Sequence, residues 1–161
     1  LAISQEGVLF AWGEAGLGQT GTGKKKSEPF PTIVNITSDN KIENQAKIKI
    51  TQLQNGPISN SKIRLVAAGY GHTLILNEAG DIYTCGINIK GQLGLGDRKT
   101  RYNPEKLYSD ILGNEVPKFK NIACGYHTSY AIDINGTAWS WGGGNLGQKN
   151  VSFVIYPKDH F

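Results

Sequence analysis

Residues 68–96, AGYGHTLILNEAGDIYTCGINIKGQLGLG, decide how the chain is read, because the same text returns in phase on either side. Upstream, Leu1 to Gly23 lies over Leu74 to Gly96 without a gap. Gly7, Gly13, Gly18, Gln19, Gly21 and Gly23 fall on Gly80, Gly86, Gly91, Gln92, Gly94 and Gly96, an offset of 73 residues. Downstream, Ala68 to Gln92 lies over Cys124 to Gln148 at an offset of 56, and Gly69, Tyr70, Gly80, Gly86, Gly91 and Gln92 meet Gly125, Tyr126, Gly136, Gly142, Gly147 and Gln148. One unit recurring three times marks a repeat architecture, in which each unit buries an apolar face against the next.

Within a unit an apolar approach (Ile63 to Ala68; Phe119 to Cys124) reaches glycine, and a short apolar strand follows (Leu74 to Leu76; Tyr130 to Ile132). A four-residue polar turn comes next, Asn77-Glu78-Ala79-Gly80 or Asp133-Ile134-Asn135-Gly136, which suits a hairpin built on a type I turn with glycine in the left-handed position. The second strand follows at once (Val8 to Trp12; Ile82 to Cys85; Ala138 to Trp141), then a glycine-rich connector closing on Gly-Gln. Beyond it, Pro29 and Pro31, Pro104, and Pro157 mark an outer, edge-type strand. Four short strands per unit define an all-β fold, a partial β-propeller of four-stranded antiparallel blades with two complete units and parts of two more. Residues 1–23 end one blade, 24–96 form a blade with an insertion at about 37–60, 97–148 form the next, and 149–161 begin another.

The Ala-Gly-Tyr-Gly-His-Thr-Leu, Glu-Ala-Gly-Asp-Ile-Tyr and Gly-Gln-Leu-Gly-Leu-Gly elements of residues 68–96 resemble the repeat of the regulator of chromosome condensation family. The resemblance implies a seven-bladed propeller, a ring of about 350 to 400 residues at this repeat length. It also implies a non-catalytic interaction scaffold or, as the alternative, guanine-nucleotide exchange on a small Ran-like GTPase with chromatin association. The units depart from the pattern in places. His72-Thr73 becomes Thr128-Ser129, Gly-Gln-Leu-Gly becomes Gly147-Gln148-Lys149-Asn150, and Thr20 and Thr22 replace leucines. The plant ultraviolet-photoreceptor branch relies on Gly-Trp-Arg-His-Thr, where this chain has Gly69-Tyr70-Gly71-His72-Thr73, which argues against that branch.

Composition agrees with short strands and tight turns. Glycine supplies 21 of 161 residues, hydrophobic residues 39% and charged residues 19%, enough apolar material for a core. No apolar run reaches the roughly 18–20 residues of a membrane helix, so no membrane is expected as a partner. Cys85 and Cys124 lack ligand spacing and read as small buried hydrophobes, which favours a reducing setting inside the cell, cytoplasm or nucleus. The net charge of +4 permits acidic partners and gives only weak support for nucleic acid or chromatin.

Gly18-Gln19-Thr20-Gly21-Thr22-Gly23-Lys24-Lys25 nearly spells a phosphate-binding loop. Lys25 stands where a magnesium-binding hydroxyl belongs, and Pro29 and Pro31 deny the helix that the motif requires. The repeat accounts for those glycines, and no cofactor or metal is expected. His72, His127 and His160 are lone histidines without a second ligand at metal spacing, and no catalytic constellation appears. The binding candidates are Lys24, Lys25 and Lys26, which with Lys41, Lys47, Lys49 and Lys62 make the first connection basic and suit an acidic protein or phosphate surface. The expected partners are another protein, a small GTPase among the candidates, and the remaining blades of the propeller. Apolar sheet faces at both flanks are expected to lie uncovered.

Overall fold

The computed structural model describes residues 1–36, 62–108, 116–144 and 153–155. Among these the chain forms three sheets and no helix. The first holds β1 (Ala2–Ile3), β2 (Leu9–Gly13) and β3 (Glu28–Ile33). The second holds β4 (Ile63–Ala68), β5 (His72–Asn77), β6 (Ile82–Gly86) and β7 (Arg101–Lys106). The third holds β8 (Phe119–Cys124), β9 (Thr128–Asp133), β10 (Ala138–Gly142) and β11 (Phe153–Ile155). Spatial order follows chain order in every sheet. The insertion at about 37–60, the motif at 147–150, Pro157 and His160 fall outside the described residues.

The repeat is visible in the pairing. Ala2 faces Phe10 and Ile3 faces Leu9, in the same register as Ile75 with Tyr83 and Leu76 with Ile82. The hairpin turns close as the sequence suggests: Gly80 N–H donates to the Asn77 carbonyl at 3.1 Å and Gly136 N–H to the Asp133 carbonyl at 3.0 Å. Asn77 and Asp133 also accept from backbone amides through their side chains, the local bonding that favours Asn and Asp at turns. Sheet membership runs one strand past each repeat boundary. β3 follows Gly23 yet pairs with β2, and β7 follows Gly96 yet pairs with β6. The antiparallel expectation fails at one strand: β11 runs parallel to β10, Trp139 facing Phe153. The connector that turns the chain back in the other sheets ends in Gly-x-Gly (Gly21-Thr22-Gly23 and Gly94-Leu95-Gly96), whereas the aligned residues of the third unit are Asn150-Val151-Ser152.

Burial shows how the sheets stack. Leu9, Ala11, Val34, Ile36, Ile63, Ile75 and Tyr83 form one core, between the first and second sheets. Leu74, Leu76, Ile82, Leu107, Phe119, Ala131, Trp139 and Trp141 form the other, between the second and third. Because β5 is covered on both faces, every residue from His72 to Asn77 is buried. In β9 burial alternates: Ser129, Ala131 and Asp133 point inward, while Tyr130 and Ile132 remain 36% and 37% exposed. That is the pattern of a sheet with only one face packed.

Two glycines set how closely the sheets approach. A methyl group on Gly21 would stand 3.0 Å from the Cys85 sulfur, and one on Gly94 would stand 2.8 Å from Trp141 Nε1. Each sheet thus inserts one side chain into the glycine connector of the sheet before it.

Candidate functional site

The in-phase polar residues form a hydrogen-bonded seam between sheets. Thr73 Oγ1 donates to the Gln19 carbonyl at 2.7 Å, and Ser129 Oγ donates to the Gln92 carbonyl at 2.7 Å. These are the same contact one unit apart. Each glutamine side chain turns back on its own connector, Gln19 Oε1 accepting from Leu17 N–H at 3.0 Å and Gln92 Oε1 from Lys90 N–H at 2.9 Å. The Gly-Gln pair therefore shapes the loop with its side chain and fastens the next sheet with its carbonyl.

His72 belongs to this seam. It is fully buried, and its Nε2 lies 3.0 Å from Ser129 Oγ. Burial, with His127 nearby, pulls its pKa down from 6.5 to about 4, so the ring is neutral at pH 7. The unfolded chain then binds one more proton than the folded one between pH 6.5 and about 4. Stability must fall as pH drops through that window, by up to about 3 kcal/mol at its lower end. Urea melts across it will show this slope, and His72→Gln will flatten it. His72 thus joins its own strand to the next sheet through the Ser129 hydroxyl. His127 Nδ1 lies 3.2 Å from Gln92 Nε2.

Connectors 14–27 and 87–100 and turns 69–71 and 125–127 all emerge at one end of the sheets, as the pairing of Gly86 with both His72 and Arg101 requires. At this end Tyr70 and Tyr126 stack with ring centroids 4.4 Å apart and remain 57% and 63% exposed. His127 meets Tyr126 edge-on at 4.6 Å, and Tyr70 N–H donates to the Tyr126 carbonyl at 3.1 Å. The sequence carried the signal: the two tyrosines occupy one position of the unit without contributing to a core. Their contact with each other was not foreseen.

Lys24, Lys25 and Lys26 are exposed on the same end, in the bend before β3. Two of them already have intramolecular roles. Lys24 Nζ pairs with Glu28 at 2.8 Å, and Lys25 Nζ lies 5.0 Å from the centroid of the Tyr102 ring. Arg101 is likewise held by Asp97 and Glu105. Lys25, Lys26, Lys90 and Lys99 have no acidic partner among the described residues, so this end carries surplus positive charge. Lys62, next to the insertion, lies at the opposite end beside the Gly7 turn. β3, a six-residue strand about 20 Å long, separates Lys24–Lys26 from the start of the insertion. The phosphate-loop geometry is absent, because Glu28–Ile33 is a strand where a helix would have to begin.

Among the described residues no group of three or more His, Cys, Asp or Glu side chains could hold a metal, and no helix is long and apolar enough to cross a membrane. Cys85 and Cys124 are free thiols, and burial pushes both up to about 12. That leaves them unreactive.

Sheets of this kind, stacked face to face through a repeated seam, define a β-propeller repeat protein. The regulator of chromosome condensation (RCC1) repeat matches residues 6–76 and 79–132, and a second model of the repeat matches 63–92 and 119–148. The chain belongs to this family. It is 32% identical to the human X-linked retinitis pigmentosa GTPase regulator over 97% of its own length and 13% of the relative's. To the guanine nucleotide exchange factor SRM1 of Saccharomyces cerevisiae it is 30% identical over 89% of this chain and 39% of the relative. The crystal structure of Prp20p from Saccharomyces cerevisiae, studied with its binding to Gsp1p and histones, superimposes with a TM-score of 0.64 at 28% identity, covering 90% of this chain and 31% of that one. The chain spans well under half the length of each.

Proposed function

We propose that the protein is a non-catalytic scaffold that binds another macromolecule through the connector end of a seven-bladed propeller. The stacked Tyr70–Tyr126 pair is the observation that carries this reading. Tyrosine is favoured at protein interfaces because it buries a large area at a small cost in side-chain entropy. Here two such rings stand exposed on a stiff support, at the same end of the sheets as Lys25, Lys26, Lys90 and Lys99, which have no acidic partner among the described residues. An acidic protein surface fits that combination, with Lys24, Lys25 and Lys26 at its rim. Two free thiols, Cys85 buried and Cys124 partly buried, suit an intracellular location, cytoplasm or nucleus.

The second reading, exchange on a Ran-like GTPase with chromatin association, is supported by the likeness to SRM1 and Prp20p. Fold alone does not confer it. The two readings separate when the protein is mixed with a Ran-type GTPase carrying fluorescent GDP. A scaffold leaves nucleotide release at its intrinsic rate at every concentration, whereas an exchange factor accelerates release to saturation. Where binding occurs without release, Tyr70→Ala with Tyr126→Ala will weaken it at least about tenfold if the tyrosines form the contact.

A further inference from the structure

The bend that leads into β3 differs from its counterpart one unit on. Lys24-Lys25-Lys26-Ser27 falls on Asp97-Arg98-Lys99-Thr100 at the offset of 73 residues. In the second unit the bend is tied down. The Asp97 carbonyl accepts from Asn88 Nδ2 at 2.8 Å, Asp97 Oδ1 accepts from the Lys99 N–H at 2.9 Å, and the Lys99 carbonyl accepts from Arg101 Nη1 at 2.7 Å. Thr100 is half-buried there. In the first unit, among the described residues, no hydrogen bond holds the backbone of Lys24 to Ser27, and all four residues are exposed. The Ser27 hydroxyl donates to Glu14 Oε2 at 2.7 Å, an exposed contact. Arg98 and Lys99 stay exposed although their sheet is packed on both faces, so the openness of this bend is a property of the unit and needs no missing neighbour.

We propose that Ser27 is a phosphorylation site for a protein kinase that selects basic residues upstream of the acceptor, and that the phosphate turns the charge of this bend from positive to negative. Three lysines run directly into the hydroxyl, the charge pattern that a kinase with an acidic substrate cleft distinguishes from others. A backbone without hydrogen bonds can be drawn into the extended form such a cleft takes. The γ-phosphoryl group of ATP passes to Ser27 Oγ. Its P–O bond to the departing ADP breaks as the new P–O bond forms, and the hydroxyl proton goes to the catalytic base of the kinase. Charge decides the consequence. Lys24, Lys25 and Lys26 against Glu14 and Glu28 leave the bend positive, and a phosphoserine adds about −1.5 to −2 at pH 7, which reverses the sign. The donor that now meets Glu14 becomes an anion beside it, so that contact turns repulsive. The effect on binding rests on the acidic-partner reading above, whereas the modification itself does not.

The folded chain is incubated with Mg-ATP and the catalytic subunit of a kinase of this class, and the phosphate is mapped by mass spectrometry. The expected result is phosphate on Ser27 and none on Thr100 in the same time, because Asp97 stands where the first unit has Lys24. Ser27→Ala should abolish incorporation. Lys24→Asp, which copies the second unit, should slow it at least about tenfold. The Lys24 side chain is 59% exposed, so the fold does not depend on it. An unmodified Ser27, a Thr100 modified as fast, or an unchanged rate in Lys24→Asp would each overturn the site. A second measurement reads the switch: the phosphorylated chain should bind polyglutamate at low salt at least about threefold more weakly than the unmodified chain. Equal binding by the two forms overturns the switch. If the unmodified chain leaves polyglutamate unbound, the acidic-partner reading fails and the switch with it, while the phosphate map still decides the site.

Discussion

Truncating Trp141 to alanine is expected to lower the unfolding free energy by about 3–5 kcal/mol, the range for an aromatic removed from a packed core. Trp141 is 0% exposed and rests on Gly94 of the preceding sheet. The ring cannot be replaced by collapse, because the backbones on both sides are held in ladders. Its counterpart one hundred and twenty-nine residues earlier, Trp12, is 43% exposed, so Trp12→Ala should cost under about 1 kcal/mol. Urea melts of the two variants make the comparison. Since a domain of this size has only about 5–15 kcal/mol in total, the Trp141 effect is large. In a stack held by nearest-neighbour interfaces the loss should concentrate in the third sheet, with faster amide exchange in β8 to β10 than in β2. Equal costs for the two tryptophans would refute the account of stacking given by the glycine connectors.

What could be read before the structure was the part that repeats. The phase of Gly80 and Gly136 located the hairpins, and the phase of Gly86 and Gly142 located the end of the second strand, because those positions depend on local backbone geometry. The phase of Thr73 and Ser129 with Gln19 and Gln92 was just as regular, but its meaning was hidden. The bonds run between units 54 and 37 residues apart in sequence, and no local rule assigns a donor to a carbonyl that distant. β5 was underestimated for a related reason: His72, Thr73 and Asn77 look like the ends of a strand, and only the sheets on both sides bury them. Lys24, Lys25 and Lys26 show the converse. A run of charge reads as a free surface, yet Glu28 and Tyr102, brought near by β3 and β7, engage two of the three. The parallel course of β11 had a sequence correlate, the replacement of Gly-x-Gly by Asn150-Val151-Ser152, but that change leaves the direction of the next strand open.

The second large effect is expected at Gly86. Its φ of 109° lies where side chains are disfavoured, which costs a non-glycine residue about 1–2 kcal/mol. A methyl there would also stand 2.3 Å from the Gly71 carbonyl oxygen and 2.6 Å from the His72 Cα. Neither atom can move freely: that oxygen accepts the Ile87 N–H at 2.8 Å, and His72 is paired opposite Gly86 in the ladder. Gly86→Ala should therefore cost about 2–5 kcal/mol, the sum of backbone strain and overpacking. Gly13 occupies the same position of the unit with a φ of 93° and no atom within 4 Å of the added methyl, so Gly13→Ala should carry the strain alone. The difference between the variants measures the steric part, with φ nearly cancelled. If the two alanine variants melt together, the turn at Gly71 is not what makes Gly86 intolerant of a side chain.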